Sequence, residues 1–276
     1  MKHIQKLKLL ALILAAVLMQ NCGKEKNNWQ IKGSGITSKV VYLYKVNPME
    51  ADILLDSAQV DKGKFVFENS NINEHLAPYK IVEKGKDSIA FDFLIANGER
   101  LQVAVKDEFD RAFSGTPIAK IYNKFLGFRK TEMNDLAELR KILSDSTLNE
   151  DQVNAKMLIF KEKMQDLENQ KIEFLKNIQV PDLNAYLVLR EATSTGVLEK
   201  ELFGKYANAL TPEGSMTNYG HKVHRIYEVF DAYALSRELD LLDTATIRTR
   251  YNNLEEDSKN SEFAQEVLKN LEQKNQ

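Results

Sequence analysis

Cysteine is nearly absent from this sequence, since Cys22 is the only one among 276 residues. A disulfide within the chain requires two cysteines, and a thioredoxin-type redox site requires the pair C-x-x-C, so both are excluded. A cysteine nucleophile requires a base beside it in a folded site, whereas Cys22 stands between an apolar run and the polar stretch GKEKNN. The role that remains for Cys22 is to serve as a point of covalent attachment.

Long apolar runs are equally scarce, and the one that stands out lies at the start of the chain. Three lysines, Lys2, Lys6 and Lys8, precede an apolar run of eleven residues, Leu9 to Met19. This run is shorter than the ~20 residues of a bilayer-spanning helix, and its basic flank is typical of a secretory signal peptide. We therefore predict that residues 1–21 are a signal peptide and that the rest of the chain folds in water.

Cys22 follows this predicted signal at the position where bacterial lipoproteins carry their diacylglyceryl-modified cysteine. The sequence therefore predicts cleavage before Cys22, attachment of fatty acids such as palmitate, and a short tether at residues 22–28. The alternative is cleavage nearby by an ordinary signal peptidase, which would leave Cys22 without a role. Met19, Gln20 and Asn21 favour this alternative, because the residues before a lipoprotein cysteine are usually small.

A basic excess is also missing. The formal net charge of −2 falls to −5 once residues 1–21 are removed, with 35 basic against 40 acidic residues. Nucleic-acid binding calls for clustered lysine and arginine, so no nucleic-acid partner is expected. The expected partners are the membrane, through the lipid on Cys22, and an unidentified envelope protein. The expected location is the cell envelope, anchored to the outer membrane on its periplasmic face, since Glu25 is the only acidic residue of the tether.

Residues 29–115 alternate apolar and polar side chains with the period of a β-strand. The segments KVVYLYKV (39–46), KFVFE (64–68), SIAFDFLIA (88–96) and RLQVAVK (100–106) are rich in β-branched and aromatic residues. Among the turn signals between them, Asn97-Gly98 suits a two-residue type I′ hairpin. Strands so close together predict an antiparallel β-sandwich or open barrel. Trp29 is expected to open the first strand, with anchoring at a membrane surface as the alternative.

Residues 116–276 have a helical pattern, so the predicted fold class is α+β, with an all-helical region of helical hairpins after the β-domain. Apolar residues recur at spacings of three and four in IAKIYNKFLGF (118–128) and onward to Leu143. Thr147-Leu148-Asn149-Glu150 has the form of a capping box that starts the next helix. An apolar stripe on that helix is expected to pack between two antiparallel helices, and a ligand groove is the alternative. The stripe consists of Val153, Met157, Phe160, Met164 and Leu167.

A weak internal repeat with a period of 44 residues follows. The repeated apolar positions are Leu210, Tyr219, Val223 and Tyr227, which recur as Leu254, Phe263, Val267 and Leu271. Each unit, at about 198–230 and 242–274, predicts two helices around a polar turn. Two copies are fewer than the three or more that a solenoid usually needs, so we interpret the repeat as a duplicated helical hairpin.

The best metal-binding candidates lie in HKVHRIYE, residues 221–228. His221, His224 and Glu228 would share one broad helical stripe, and histidine with carboxylate is a zinc-like ligand set. The apolar residues of the same segment, however, predict a core face that leaves both histidines in solvent. These residues are therefore weak candidates, and no metal or cofactor is expected.

Other polar groups lack the spacing of a catalytic or binding motif. Asp107, Glu108 and Asp110 do not match a calcium loop and predict a turn. Gly33-Ser34-Gly35 is neither a nucleophile elbow nor a phosphate loop and is expected to end the first strand. No spacing selects a pair of carboxylates for acid–base catalysis. We therefore expect no enzyme activity, and the alternative is an enzyme or small-ligand binder with a pocket between the β and helical halves.

A family resemblance adds to these expectations. The order IKGSGI, VYLY, LDSAQVDKGKFVF, PYKIV, a Phe-rich strand with NG, and FSGTPIAKIYNKF resembles the N-terminal domain of unknown function of thiol-disulfide interchange lipoproteins of Bacteroidota. The resemblance covers about residues 29–126, while NAYL (184–187) and KNSEFAQEVLKNLE (259–272) resemble the helical linker of those proteins.

In that family a thioredoxin-like domain with a C-x-x-C follows the linker, and this sequence contains no C-x-x-C. The redox activity of the family is therefore not implied here. What the resemblance implies is a non-enzymatic, lipid-anchored envelope protein that acts as a binding or scaffold module. An association with a separate thiol-redox partner is a further expectation.

Overall fold

The computed structural model describes residues 29–47, 51–69, 76–96, 98–106, 111–194 and 198–274. The predicted signal peptide, Cys22 and the tether lie outside these residues, as do Asn97 and the acidic run at 107–110. The chain divides into two compact units, of which one ends at Lys120 and the other begins at Ile121. The fold class is α+β, because all strands precede all helices in the described residues.

Eight strands in the described part of the chain form two four-stranded sheets. They are β1 (Trp29–Ser34), β2 (Val40–Lys45), β3 (Ile53–Gln59), β4 (Lys64–Asn69), β5 (Ala77–Glu83), β6 (Lys86–Ile95), β7 (Arg100–Val105) and β8 (Arg111–Ser114). The strand order is β4-β1-β7-β8 in one sheet and β3-β2-β5-β6 in the other. Each sheet is open, so the described strands form no closed barrel.

The predicted strand pairing is wrong at two places. An antiparallel arrangement is predicted throughout, but β1 and β7 pair in parallel, with Ile31 opposite Leu101. The hairpin predicted at Asn97-Gly98 would pair β6 with β7, and these strands belong to different sheets. Alternation indicates which face of a strand is buried, and it leaves the choice of the partner strand open.

Aromatic side chains form much of the core of the β-unit. Trp29 opens β1 as predicted, and it is buried against Tyr79 of β5 with 5.8 Å between the ring centroids. Phe93 of β6 lies 6.2 Å from Phe113 of β8, again between centroids. Both contacts join one sheet to the other, so the two sheets share buried apolar side chains.

The described helices begin after the last strand. They are α1 (Ala119–Ser144), α2 (Glu150–Lys176), α3 (Pro181–Ala192), α4 (Lys200–Ala207), α5 (Pro212–Ser215), α6 (Asn218–Glu228), α7 (Phe230–Arg237), α8 (Thr244–Asn252), α9 (Glu256–Lys259) and α10 (Glu262–Gln273). None of these helices combines the length and the hydrophobicity of a bilayer-spanning segment.

Helices α1 and α2 form an antiparallel pair, which we call the long hairpin. Lys163 of α2 contacts Asp135 of α1, and Lys171, further along α2, contacts Glu132, which comes earlier in α1. The predicted apolar stripe of α2 is buried only near the end of the helix. Leu167 is buried, whereas Met157 is exposed. The two helices therefore pack less closely toward their connecting loop than the stripe predicts.

The capping box of α2 lies two residues beyond its predicted position. The Asn149 side chain accepts a hydrogen bond from the Gln152 backbone N–H at 2.9 Å, and the Gln152 side chain accepts one from the Asn149 backbone N–H at 3.0 Å. The Thr147 hydroxyl donates instead to Asp145, at 2.6 Å. Asparagine caps a helix at least as well as threonine, so the sequence contains two competing starts and the prediction chose the wrong one.

The 44-residue period of the sequence is also a period of the helices. Helices α4, α5 and α6 begin at Lys200, Pro212 and Asn218, and α8, α9 and α10 begin 44 residues later at Thr244, Glu256 and Glu262. The caps repeat as well, since Thr217 accepts the Gly220 N–H at 3.1 Å and Ser261 accepts the Ala264 N–H at 3.3 Å. Each predicted polar turn contains a helix of four residues, α5 or α9.

Candidate functional site

The most concentrated set of buried charges lies where the first four helices meet. We call it the charged cluster, and it consists of Arg129 and Glu132 of α1, Glu168 and Lys171 of α2, Glu191 of α3 and Tyr206 of α4. The Lys171 ammonium lies 2.8 Å from Glu191, 3.3 Å from Glu168 and 4.0 Å from Glu132. Arg129 reaches the second oxygen of Glu191 at 3.4 Å. Lys171 thus links three helices through carboxylates.

Local sequence spacing explains how the cluster forms. Arg129 and Glu132 are three residues apart on α1, as are Glu168 and Lys171 on α2, so each pair shares one face of its helix. On α2 this face is otherwise apolar, since Leu167 and Leu175 stand one turn before and after Lys171 and are buried. A lysine in an apolar stripe must meet a carboxylate from a neighbouring helix, because an unpaired buried charge is costly.

Electrostatics fix the protonation state of the cluster. Burial by itself would lower the pKa of Lys171, but Glu191, followed by Glu168 and Glu132, holds that pKa above its ordinary value. Burial raises the pKa of the Tyr206 hydroxyl, and the charge of Glu191 and the hydrogen bond to Glu168 raise it further. At neutral pH Lys171 is therefore an ammonium and Tyr206 a neutral phenol.

This protonation state limits what the cluster can do chemically. A lysine that forms a Schiff base or takes up a proton needs a lowered pKa, because only the neutral amine has a lone pair. The pKa of Lys171 is displaced in the opposite direction. Lys171 therefore offers no neutral amine at neutral pH, and the contacts of the charged cluster join α1, α2, α3 and α4.

A cleft between α1 and α2 contains a second buried carboxylate. Its volume is about 540 Å³, and Phe128, Asp135, Lys163 and Leu167 are among its lining residues. Asp135 is buried and accepts a hydrogen bond from Lys163 at 2.6 Å through one oxygen, while the other oxygen has no hydrogen-bond partner. Lys163 already neutralises the carboxylate, so a cationic ligand would have to displace it.

The candidate residues of the sequence do not converge on a site in the described structure. His221, His224 and Glu228 are all exposed on α6, whose buried residues are Gly220, Val223 and Ile226. The described residues contain no group of three or more His, Cys, Asp or Glu side chains that could hold a metal ion. Cys22 lies outside the described residues, and its predicted lipidation stays a prediction.

Several apolar side chains of the helical unit are exposed to solvent. On the long hairpin they are Met133, Leu143, Met157, Leu158 and Ile159. Leu158 and Ile159 are adjacent in α2 and are 60% and 64% exposed. Single exposed apolar residues are common on proteins, but Leu158 and Ile159 are exposed side by side, which makes this part of α2 a candidate contact surface.

Sequence reasoning missed both the charged cluster and this surface. The helical stripe of α2 continues beyond Leu167 through Lys171 to Leu175 at spacings of four, and a lysine in such a stripe is a readable sign of a buried ion pair. The exposed pair Leu158 and Ile159 lies on the side of α2 opposite the stripe, where a solvated helix face would be polar.

Comparison with known proteins adds no assignment. No protein-family model matches the chain, and no curated protein matches its sequence.

Proposed function

We propose that this chain is a non-enzymatic, lipid-anchored cell-envelope protein that binds another envelope protein through the long hairpin. The observation that carries the proposal is the group of exposed apolar side chains on α1 and α2. The proposal also includes the finer fold of the first unit, for which we infer a β-sandwich. The contacts of Trp29 with Tyr79 and of Phe93 with Phe113 support that inference, because each pair draws one residue from each sheet.

The long hairpin suits an interaction role because of its length and its uneven burial. Its helices have 26 and 27 residues, which corresponds to about 40 Å at 1.5 Å per residue. The charged cluster holds the part of the hairpin that is far from the connecting loop, where Lys171 and Glu191 are buried. Leu143 and Leu158, nearer the loop, are exposed. A partner that covered these side chains would remove apolar surface from water, which favours association.

Site-specific crosslinking tests the hairpin in cells. A photoreactive amino acid at Leu158 is expected to give one discrete crosslinked protein, and Ile159→Asp in the same chain is expected to abolish it. The matched control is the same photoreactive residue at Leu241, which is also exposed but lies outside the long hairpin. Equal crosslinking at positions 158 and 241, or no effect of Ile159→Asp, would remove the proposed contact surface.

The identity of the crosslinked protein tests the association with thiol-redox chemistry. The resemblance to thiol-disulfide interchange lipoproteins supports a partner that carries a C-x-x-C. Mass spectrometry of the crosslinked product is expected to identify such a protein. A partner without a C-x-x-C would leave the binding role in place and refute the redox association.

Metabolic labelling with palmitate tests the membrane anchor. The position of Cys22 directly after the apolar run supports lipid attachment. Wild-type protein is expected to take up label, and Cys22→Ala is expected to take up none and to move to the soluble fraction. Equal labelling of both proteins, or of neither, would contradict the lipoprotein assignment.

A further inference from the structure

Strand β3 is an edge strand whose side chains are exposed along nearly its whole length. It is the first strand of the order β3-β2-β5-β6 and, among the described strands, pairs only with β2. Ile53 and Leu54 are each 54% exposed, and Leu55 beside them is also exposed. Natural proteins often protect an edge with lysine or proline, and ILLDSAQ contains neither.

The hydrogen bonds of β2 and β3 show which backbone groups face outward. The Val60 N–H donates to the Lys39 carbonyl at 2.9 Å, so residue 60 directs its polar groups toward β2. Along an antiparallel strand, successive residues direct their N–H and C=O groups alternately toward the partner strand and away from it. The register of β3 with β2 is regular from Gln59 back to Asp56. Ser57 and Gln59 therefore direct their N–H and C=O groups away from β2. At Gln59 this side lies near the start of β4, since Asp61 exchanges hydrogen bonds of 2.9 Å with Lys64, so the open part of the edge is the part around Ser57.

The side chain of Asp56 forms a hydrogen bond with one of these outward-facing groups. Its carboxylate is exposed and accepts a hydrogen bond from the Ser57 N–H at 2.7 Å. A strand added at this edge would take over the Ser57 N–H, and the Asp56 carboxylate would then be free to pair with a cation of that strand. Asp56 thus places a negative charge on the open edge, beside the apolar side chains of Leu54 and Leu55.

We propose that the β3 edge binds an extended segment of a protein partner, which adds a strand to the sheet and places a lysine or arginine against Asp56. Strand addition uses the main-chain groups of the edge for affinity and the flanking side chains for selectivity. The exposed leucines select apolar residues in the segment, and the carboxylate selects a cation. This inference goes beyond the proposed function, because the edge belongs to the β-unit and not to the long hairpin.

A second copy of this chain fits the edge less well. Two identical strands pair around a two-fold axis in antiparallel orientation, and the full length of β3, residues 53–59, is then centred on Asp56. That register places Asp56 opposite Asp56, and directly opposed like charges destabilise a strand pair. A segment with a cation at this position has the complementary charge instead.

Peptide binding to the full chain tests the inference. The probe is a capped, fluorescently labelled peptide of alternating valine and threonine with one central lysine, and binding is measured by fluorescence anisotropy. A peptide with glutamate in place of lysine is expected to bind about threefold more weakly or worse. A lysine peptide with alternate backbone nitrogens methylated is expected to bind about tenfold more weakly, because it cannot donate the edge hydrogen bonds.

Two variants separate the charge from the apolar contacts. Asp56→Asn is expected to equalise the lysine and glutamate peptides, whereas Leu54→Lys is expected to weaken both. Leu241→Lys, at an exposed leucine of the helical unit, is the matched control and is expected to leave binding unchanged. Equal binding of the lysine and glutamate peptides by wild-type protein would overturn the inference. So would a dimer in sedimentation experiments that Leu54→Lys dissociates, because a second copy would then be the occupant.

Discussion

Lys171 and Glu191 form an ion pair of 2.8 Å between two helices, and the residues are only 4% and 1% exposed. Glu191→Gln retains the shape of the side chain but leaves the ammonium without its nearest counter-charge. We expect the free energy of unfolding to fall by about 3 kcal/mol, as is usual when one partner of a buried pair is removed. Urea denaturation measures this loss. Lys176→Met breaks the exposed pair with Glu173 and should cost less than about 1 kcal/mol.

An apolar replacement of both partners should be less harmful than either single change. Lys171→Met combined with Glu191→Leu leaves no isolated charge of this pair, and buried ion pairs can often be replaced by apolar side chains of similar volume at little cost. The double variant is therefore expected to unfold at higher urea than either single variant. If the two losses simply added, the single variants would owe their instability to packing and not to the uncompensated charge.

The pKa of Lys171 also predicts how stability depends on pH. Its folded value is raised above the unfolded value of about 10.4, so its stabilising contribution is complete below that pH and is lost as pH rises through the folded pKa. The raised pKa of Tyr206 acts in the same direction above about pH 10. The free energy of unfolding, measured at pH values from about 10 upward, should fall more steeply for the wild type than for Lys171→Met. Parallel curves would show that Lys171 does not contribute to the pH dependence.

Much of the fold follows from side-chain periodicity, and its limits follow from what periodicity leaves out. Alternation locates the strands around Val41, Phe65 and Leu101, and each of these residues is buried. It does not specify partners, so the parallel pairing of β1 with β7 requires knowledge of the whole sheet. The helical repeat is readable because the same apolar positions recur 44 residues apart.

The charged cluster is harder to predict because its members come from distant parts of the chain. Glu132 and Glu191 are separated by nearly half of α1, all of α2 and most of α3, yet both contact Lys171. Spacing within one helix indicates that Glu168 and Lys171 share a face, but only the packing of four helices brings Glu191 to them. Exposure is equally hard to predict from sequence, since leucine is typical of a protein core and Leu158 is nevertheless exposed to solvent.

The capping box of α2 offers a local test of the structure. Asn149→Ala removes the acceptor for the Gln152 N–H, and we expect a loss of about 1 kcal/mol in the free energy of unfolding. Asn149→Ser should retain most of the stability, because serine is also a good cap. Thr147→Ala should have a smaller effect than Asn149→Ala, since Thr147 contacts only Asp145 in the loop. A larger loss of stability for Thr147→Ala than for Asn149→Ala would instead place the helix start where the sequence predicts it.

Asn184 of α3 is a fully buried side chain that bonds to three backbone groups. Its amide donates to the Leu175 carbonyl at 2.8 Å and to the Ala209 carbonyl at 3.0 Å, and its oxygen accepts from the Thr211 N–H at 2.9 Å. Asn184→Leu has a similar volume but removes all three hydrogen bonds, and of the three backbone groups the Leu175 carbonyl keeps a bond from the Ile178 N–H at 3.1 Å. With about 1 kcal/mol for each lost hydrogen bond, we expect the free energy of unfolding to fall by roughly 3 kcal/mol.

The matched control for Asn184 is Asn260→Leu. Asn260 also donates to a backbone carbonyl, that of Glu256, but it is exposed, so water can replace the lost hydrogen bond. Thermal and urea unfolding should therefore show a loss below about 1 kcal/mol for Asn260→Leu. If both substitutions cost the same, burial would not be what makes Asn184 important. A large loss for Asn184→Leu alone would show that one buried amide fastens the end of α2 and the turn after α4 to the start of α3.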